Sequence, residues 1–431
     1  MSTENDLDDF FSSDRVTARD EDVTLDQGGY RDHLYDLDDP VLAQWRGLDY
    51  VEFSRRKREP GFVQELLGAW QDLYDEPFVG VTTDGVVRDV HRLVPVTDAA
   101  PEAARAAERL LALLDDDRRA VAQHPVGSPR WRAWSNPEFV IHDGGLRLEE
   151  LDEPVAQAAL AMVEASLSPE GYARVREAMA LNGFLGDLVD LPDLMNERSY
   201  WVSVFGTPSA GGAWGWQLFG HHVAVSFVSV AGRHVVAPVF LGAEPALSDG
   251  ARPPLFDARE RAALELASSL TDVQRAEAVV YSSVLDPSMP AGRLHPADER
   301  HVAGAFRDNR VVPPEGIRAT SLDDHQWALL RAIVEDFHLL LTEPQRRLTL
   351  ADVDAHRDDT WLSWYGATDG SQPFYLRIHS PVVLAELDHH AGVWLSNRLP
   401  ARFHVHTTLR QPNGNDYGRA YLAQLGDASH D

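Results

Sequence analysis

The chain has 431 residues, no cysteine and a formal net charge of −29 at pH 7. The lack of cysteine excludes disulfides, thiolate metal ligands and a cysteine nucleophile, so any metal must be bound by His, Asp or Glu. The acidic charge argues against nucleic acid and anionic membranes as partners, because contacts with phosphate need a basic surface.

The N-terminal 27 residues are acidic and poor in apolar side chains. This composition predicts a disordered tail, followed by a single α+β domain over residues 28–431. The first residues have neither the basic start nor the apolar core of a secretory signal, and no apolar run is long enough to span a membrane. We therefore expect a cytoplasmic protein.

Helical patterns dominate the first half of the chain. Apolar residues including Phe62, Leu66 and Trp70 recur at spacings of three and four between positions 40 and 74, as on one face of a helix. Further helices are expected around Leu110 and over 151–167. Another begins after Ser168, because serine caps a helix well and the next residue is a proline.

Strand patterns begin near position 201. Alternation along one long strand places Trp214, Trp216 and His222 on one face and His221 on the other. A turn at 231–232 leads into a second strand, which makes a hairpin. Because adjacent strand residues point to opposite sides, His221 and His222 cannot both enter one pocket without a bulge.

The remaining elements complete the predicted fold. A capping box at 271–274 begins a helix, a region rich in Pro and Gly over 287–316 predicts a long loop, and the clearest helix covers 322–341. Three more strands are expected over 361–365, 374–387 and 402–410. No internal repeat or domain linker is apparent. The prediction is an α+β fold with a helical N-terminal half packed on a largely antiparallel sheet from the C-terminal half.

Five residues form the strongest candidate metal site: His221, His222, Glu386, His404 and His406. The two histidines of His-x-His share one strand face, about 7 Å apart along the chain. Glu386 is predicted on an otherwise apolar face, where a carboxylate is costly unless it is paired, protonated or bound to metal. Such a site suits a divalent ion, with iron or copper favoured and zinc possible. The alternative is chance, since the chain has 18 histidines.

Arg410 and Asp416 are candidate catalytic residues. Arg410 lies at a strand end, on the same side as His406, and is predicted to bind a substrate carboxylate with its planar fork. Asp416 would orient Arg410 or a ligand histidine. The alternative for 413–418 is a plain turn, because Asn, Gly and Asp favour turns.

Four further residues are candidate substrate contacts. Trp214 and Trp216 come just before the histidine pair and would bracket the substrate, although tryptophans in strands more often belong to the core. Arg377 and Asn415 are the other two, and an ordinary ion pair is the alternative for Arg377.

A resemblance to a known family is carried by four segments of the chain. They read FGTPSAGGAWGWQLFGHHVAVSF, VVAPVFLGAEP, FYLRIHSPVVLAELD and FHVHTTLRQPNGNDYG. Together they resemble the bacterial and fungal family called domain of unknown function 3500, from about Pro77 to the C-terminus. The resemblance implies a shared active site comprising His221, His222, Glu386, His404, His406, Arg410, Asn415, Asp416, Tyr417 and Gly418. His389 and His390 lie outside the family's pattern and are expected to be exposed.

The leading functional expectation is a metal-dependent oxidoreductase. It would use non-haem iron or copper and act on a small polar molecule that carries a carboxylate. One alternative is a zinc hydrolase, in which the metal lowers the pKa of a bound water to about 7 and Glu386 or Asp416 acts as base. The other is a non-catalytic binding protein for an acidic metabolite.

Overall fold

The computed structural model describes residues 28–96, 101–139, 142, 144–250, 252–295 and 297–427. The predicted acidic tail, residues 1–27, lies outside this part of the chain. The α-helices of the described residues are α1 (Pro40–Ala43), α2 (Tyr50–Lys57), α3 (Gly61–Asp75), α4 (Pro101–Ala112), α5 (Asp116–Ala122), α6 (Glu153–Ser166), α7 (Pro169–Leu188), α8 (Asp257–Ser269), α9 (Asp272–Ala278), α10 (Asp324–Phe337), α11 (Glu343–Ala355) and α12 (Arg419–Asp427). None of these helices has the length and apolar character needed to cross a membrane.

The strands form one mostly antiparallel sheet, which confirms the predicted α+β class. They are β1 (Gln123–His124), β2 (Leu146–Arg147), β3 (Tyr200–Gly206), β4 (Ala213–Gly220), β5 (Val223–Val230), β6 (Arg233–Ala243), β7 (Val279–Tyr281), β8 (Ile317–Arg318), β9 (Trp361–Gly366), β10 (Phe374–His379), β11 (Leu384–His389) and β12 (Val405–Arg410). Ten strands follow the order β1-β3-β4-β5-β6-β12-β11-β10-β9-β7, while β2 pairs with β3 and β8 pairs with β9.

Several helix starts follow the predicted capping chemistry. The Ser168 hydroxyl accepts a hydrogen bond of 2.9 Å from the Gly171 amide, with Pro169 at the first helical position of α7. Thr271 and Gln274 form the predicted capping box at the start of α9. Asp323 caps α10 in the same way, and its side chain accepts from the amide of Gln326.

The order of elements occurs twice along the chain, so the expectation of no internal repeat is wrong at the level of structure. Each half runs from two helices and a short strand, through a second short strand and a 3-10 turn, to two helices and four antiparallel strands. The two four-stranded runs, β3–β6 and β9–β12, meet where β6 pairs antiparallel with β12. We call this β6–β12 pairing the seam.

Equivalent glycines mark the repeat locally. Gly145 precedes β2 with φ +88°, and Gly316 precedes β8 with φ +84°. A Cβ atom at Gly145 would lie 2.1 Å from the carbonyl oxygen of Val202, and one at Gly316 would lie 2.0 Å from that of Leu362. Both positions therefore require glycine, because of the left-handed backbone and because of the close approach to the next strand.

Helices of both halves cover one face of the sheet. Their apolar side chains and the inward residues of the strands form one large buried cluster, which includes Trp216 and Leu160 of the first half and Leu376 and Leu330 of the second. The opposite face is covered by α3, by the segment 299–308 and by the C-terminal residues around Tyr417. We call this second face the site face, because the candidate ligands lie on it.

Two strands predicted as continuous are hairpins instead. The run from Trp214 turns at 221–222 and returns as β5, and the run from Phe374 turns at 380–383 and returns as β11. As a result, Glu386 lies opposite Arg377 on the site face and not beside Leu376 on the apolar face. The first turn is hidden because its residues, His221 and His222, include no Gly, Asn or Pro, whereas Ser380 and Pro381 are a local signal of the second turn.

Candidate metal centre

Six buried side chains form two adjoining groups that could bind metal ions. The three-histidine cluster contains His222, His404 and His406, and the His–Asp cluster contains His301, Asp388 and His390. Within each cluster, one ligand atom of every residue lies within 4.8 Å of the others. The ring centroids of His390 and His406 are 3.9 Å apart, so the two clusters are in contact.

His222 reaches the three-histidine cluster from a strained turn. His221 and His222 form the two-residue connection between β4 and β5, and His222 has φ +63°, a left-handed conformation that is uncommon outside glycine. The His221 ring stacks on the His222 ring at 3.9 Å, and its Nδ1 forms a hydrogen bond of 2.8 Å with the Asn182 side chain. His221 therefore supports His222 from behind, while only His222 belongs to the cluster.

His404 and His406 bring their ring nitrogens together at the start of β12. Their Nε2 atoms are 3.0 Å apart. Two nitrogens that each lie about 2.1 Å from one ion, at right angles, are about 3.0 Å apart, so this spacing fits coordination to a shared metal. His404 Nδ1 donates a hydrogen bond of 2.8 Å to the carbonyl oxygen of Ala391, which leaves the Nε2 lone pair directed at His406.

Glu386 holds the loop segment that carries His301. Its carboxylate accepts hydrogen bonds from the amides of Val302 and Ala303, at 2.8 and 3.1 Å, and from the Tyr375 hydroxyl at 2.7 Å. It also lies 3.8 Å from Nδ1 of His301, which forms a hydrogen bond of 2.7 Å with the Thr408 hydroxyl. The structure thus places the predicted ligand Glu386 behind His301 and outside both clusters.

Asp388 is the carboxylate of the His–Asp cluster. Its Oδ2 lies 3.2 Å from Nε2 of His390 and accepts from the Arg300 amide at 3.1 Å, while its Oδ1 accepts from Nε of Arg300 at 2.6 Å. Burial alone would raise the pKa of Asp388, but the neighbouring charge of Arg300 and the contact with His390 outweigh it and hold the pKa well below its usual range. Asp388 is therefore a carboxylate at neutral pH, as a metal ligand must be.

The imidazoles of both clusters are suited to metal. Nε2 of His301 is buried and has no hydrogen-bond partner among the described residues, and Nε2 of His390 contacts the Asp388 carboxylate inside the same cluster. Burial, reinforced by neighbouring imidazoles, lowers the pKa of His222 and of His406 well below the ordinary value. The rings of His222 and His406 are therefore neutral at pH 7, which is the form that binds metal.

Two more carboxylates lie behind the ligands. Glu299 is 3.7 Å from Nδ1 of His390, and Glu244 is 4.0 Å from Nδ1 of His404. Glu244 also accepts backbone hydrogen bonds from 393–395, and Glu299 accepts one from Ala391. A carboxylate on the far side of a ligand histidine is typical of metal sites, where it fixes the orientation of the ring.

The structure gives Arg410 a different role from the predicted one. Its guanidinium is fully buried and donates to Asp308 at 2.7 Å, to Asp416 at 3.2 Å and to the carbonyl oxygen of Ala303 at 2.9 Å. Through these internal contacts, Arg410 stabilises the segment next to His301. A substrate carboxylate could bind Arg410 only by displacing an aspartate. Burial raises the pKa of Asp416 to about 6, although Arg410 opposes the shift.

The predicted substrate contacts are divided between core and site. Trp214 and Trp216 pack in the helical core, and the Trp216 indole donates to the Ser166 hydroxyl at 2.9 Å, so neither faces the clusters. Asn415 is buried and donates to the Gln411 side chain at 2.6 Å. Arg377 does lie on the site face, where it donates to Glu315 at 2.7 Å.

Sequence reasoning missed His301, Asp388 and His390. His390 was expected to be exposed, but it is buried, and its ring lies between those of His301 and His406. Asp388 could have been found, because it lies two residues after Glu386 and therefore on the same strand face. His301 carries no local signal, because it lies in a loop far from β11 in the sequence. Its neighbour Val302, whose amide donates to Glu386, is 84 residues away from that glutamate.

Comparisons with known proteins give one assignment. A family model described as protein of unknown function (DUF3500) matches residues 97–419. This range includes all six residues of the two clusters and confirms the resemblance seen in the sequence. No curated protein and no solved structure matches the chain.

Proposed function

Because the chain belongs to the DUF3500 family, whose description assigns no activity, we propose its function from the two clusters. We propose that the protein is a metal-dependent oxidoreductase that uses non-haem iron or copper on a small polar molecule. The observation that carries this proposal is the contact between a three-histidine cluster, with two Nε2 atoms 3.0 Å apart, and a second cluster of two histidines and an aspartate.

The ligand types favour redox metals. Two histidines with one carboxylate are the ligand set of non-haem Fe(II) oxygenases, and imidazole-rich sites suit copper as well as zinc. A bound iron or copper ion would supply activation of dioxygen or a peroxide. The protein side chains would hold the metal, exclude bulk water and orient the substrate, and the burial of all six residues supports this role.

A hydrolytic reaction receives less support from the surrounding carboxylates. Glu386, Glu299 and Glu244 are the acidic groups behind the ligand histidines, and each already accepts backbone hydrogen bonds. The second oxygen of each carboxylate also accepts a hydrogen bond, so none of the three has a free oxygen placed to take a proton from water. Zinc hydrolysis remains the second candidate because three imidazoles are also a ligand set of catalytic zinc.

The test is the metal content of protein purified without added metal. Elemental analysis, with optical and electron paramagnetic resonance spectra, should find iron or copper at one ion per occupied cluster. His404→Ala should remove metal from the three-histidine cluster, whereas His234→Asn, a change at a buried histidine of β6 outside both clusters, should not.

Two results would contradict the proposal. Zinc as the bound metal, with hydrolysis and no redox turnover, would favour the second candidate. A protein that retains no iron, copper or zinc, even after addition of each ion, would exclude both.

A further inference from the structure

A small basic pocket lies beside the His–Asp cluster. It has a volume of about 260 Å³, and its polar lining comes from Arg293, Arg310, Arg377 and Glu315. Three cationic side chains thus face one carboxylate, in a chain whose formal net charge is −29. A concave surface with excess positive charge concentrates field lines and attracts anions, and it is unusual on so acidic a protein.

The cations of the pocket are only partly compensated. Arg377 is 4% exposed and donates to Glu315, while its Nε is buried without a partner among the described residues. Arg293 uses neutral acceptors, namely the Tyr365 hydroxyl at 2.9 Å and the carbonyl oxygen of Arg300 at 2.7 Å. The buried Nε of Arg377 and the uncompensated charge of Arg293 indicate a site built to receive negative charge.

Arg310 lies at the exposed rim of the same pocket. Within the described residues, its side chain makes no hydrogen bond or salt bridge. Partial burial and the nearby cations Arg307 and Arg293 lower its pKa from the ordinary value. A bound anion would relieve this crowding of like charges.

Chain connectivity places the pocket next to the metal ligands. Val302 lines the pocket and directly follows His301, and its amide donates to Glu386 at 2.8 Å. Arg377 faces Glu386 across the β10–β11 pair. Glu386 therefore connects the two sites, because it accepts from the amide of Val302 in the pocket lining and lies 3.8 Å from Nδ1 of His301 in the His–Asp cluster.

From this geometry we propose that the pocket binds an anionic group, a carboxylate or a phosphate, of the molecule that the metal centre acts on. The inference rests on the proposed function for the identity of that molecule, but the anion site can be tested by itself. At about 260 Å³, the pocket accommodates one such group rather than a whole drug-sized ligand, whose pockets start at roughly 300 Å³. Arginine forks suit both anions through paired hydrogen bonds.

The experiment measures binding of succinate and of inorganic phosphate to the full-length protein by isothermal titration calorimetry at low salt. The wild type should bind one of the two saturably, and the anion that binds identifies the group. Arg310→Gln should weaken that binding at least 10-fold, because it removes a cation of the pocket. It should leave the fold intact, because within the described residues the Arg310 side chain makes no hydrogen bond or salt bridge. Arg377→Lys should also weaken it, since lysine keeps the charge but lacks the fork.

Arg347→Gln is the matched control, because it removes an exposed arginine of α11 that is paired with Glu343 outside the pocket. It should leave binding unchanged. Equal binding by wild type and Arg310→Gln, or no saturable binding of either anion, would overturn the inference. Metal content measured on the same samples separates the two ideas. A wild type that binds metal but neither anion refutes only the pocket, whereas a wild type that binds an anion but no metal refutes only the proposed function.

Discussion

Gly242 tests whether the three-histidine cluster depends on its observed spacing. Gly242 lies on β6 directly opposite His406 of β12. A Cβ atom at this position would lie 2.7 Å from Cδ2 of His406 and 3.0 Å from Cδ2 of His222. Carbon atoms normally approach to about 3.5–4.0 Å, so Gly242→Ala should displace the His406 ring by roughly 0.8 Å.

That displacement is large compared with the tolerance of a metal site. Ligand distances are held to within about 0.2 Å, so a shift of roughly 0.8 Å removes at least one ligand from the ion. We expect metal affinity to fall on the order of 100-fold, at the upper end of the effect of disturbing groups that position ligands. The fold should survive, because alanine keeps the amide that donates to the carbonyl oxygen of His222 at 2.7 Å.

The assay is competition with a chromophoric chelator, combined with thermal unfolding of metal-free protein. Gly211→Ala is the matched control, since a Cβ atom there meets nothing within 4 Å. If Gly242→Ala binds metal as tightly as the wild type does, the ring positions do not define the metal site and the reasoning fails.

Three further predictions concern buried polar groups around the site. Glu386→Gln should lower metal content by releasing the segment that carries His301, and full retention of metal in elemental analysis would contradict this role. Arg410→Lys should lower the free energy of unfolding, measured in urea, by about 3–5 kcal/mol, because lysine leaves a buried carboxylate poorly paired. A decrease below about 1 kcal/mol would exclude this structural role of Arg410. Acid should destabilise the protein, because burial lowers the pKa of His91, of His234 and of His338 from 6.5 to about 4. These histidines bind protons more weakly in the folded state than in the unfolded state. Their contribution to the free energy of unfolding is therefore fully present above pH 6.5 and is lost as pH falls toward 4. The free energy of unfolding falls by up to about 1.4 kcal/mol per pH unit for each histidine. A constant melting temperature from pH 7 to pH 4.5 would refute it.

Local chemistry explains what could be predicted from the sequence. Ser168 and Thr271 act as caps because the interactions that form them span only three residues. The His-x-His spacing placed His404 and His406 together because strand geometry repeats every two residues. Here the period of the backbone is enough to determine which side chains meet.

The remaining features depend on contacts that the sequence does not encode locally. The turn at His221–His222 lacks the Asn-Gly or Asp-Gly signal of a two-residue hairpin, so the apolar alternation ran through it unnoticed. The site location of His301 depends on hydrogen bonds between its loop and Glu386. Arg410 appeared available because its aspartate partner Asp308 lies 102 residues away.

The seam between the two halves gives an ion in the three-histidine cluster a mechanical role. His222 belongs to the half that ends in β6, whereas His404 and His406 belong to the half that ends in β12. An ion bound to all three would cross-link the two halves, and its binding free energy would add to the free energy of unfolding of the protein. Metal depletion should therefore increase local opening at the seam before other parts of the sheet. The rate of amide hydrogen exchange around Gly242 and Val405 would then depend on metal occupancy as well as on folding.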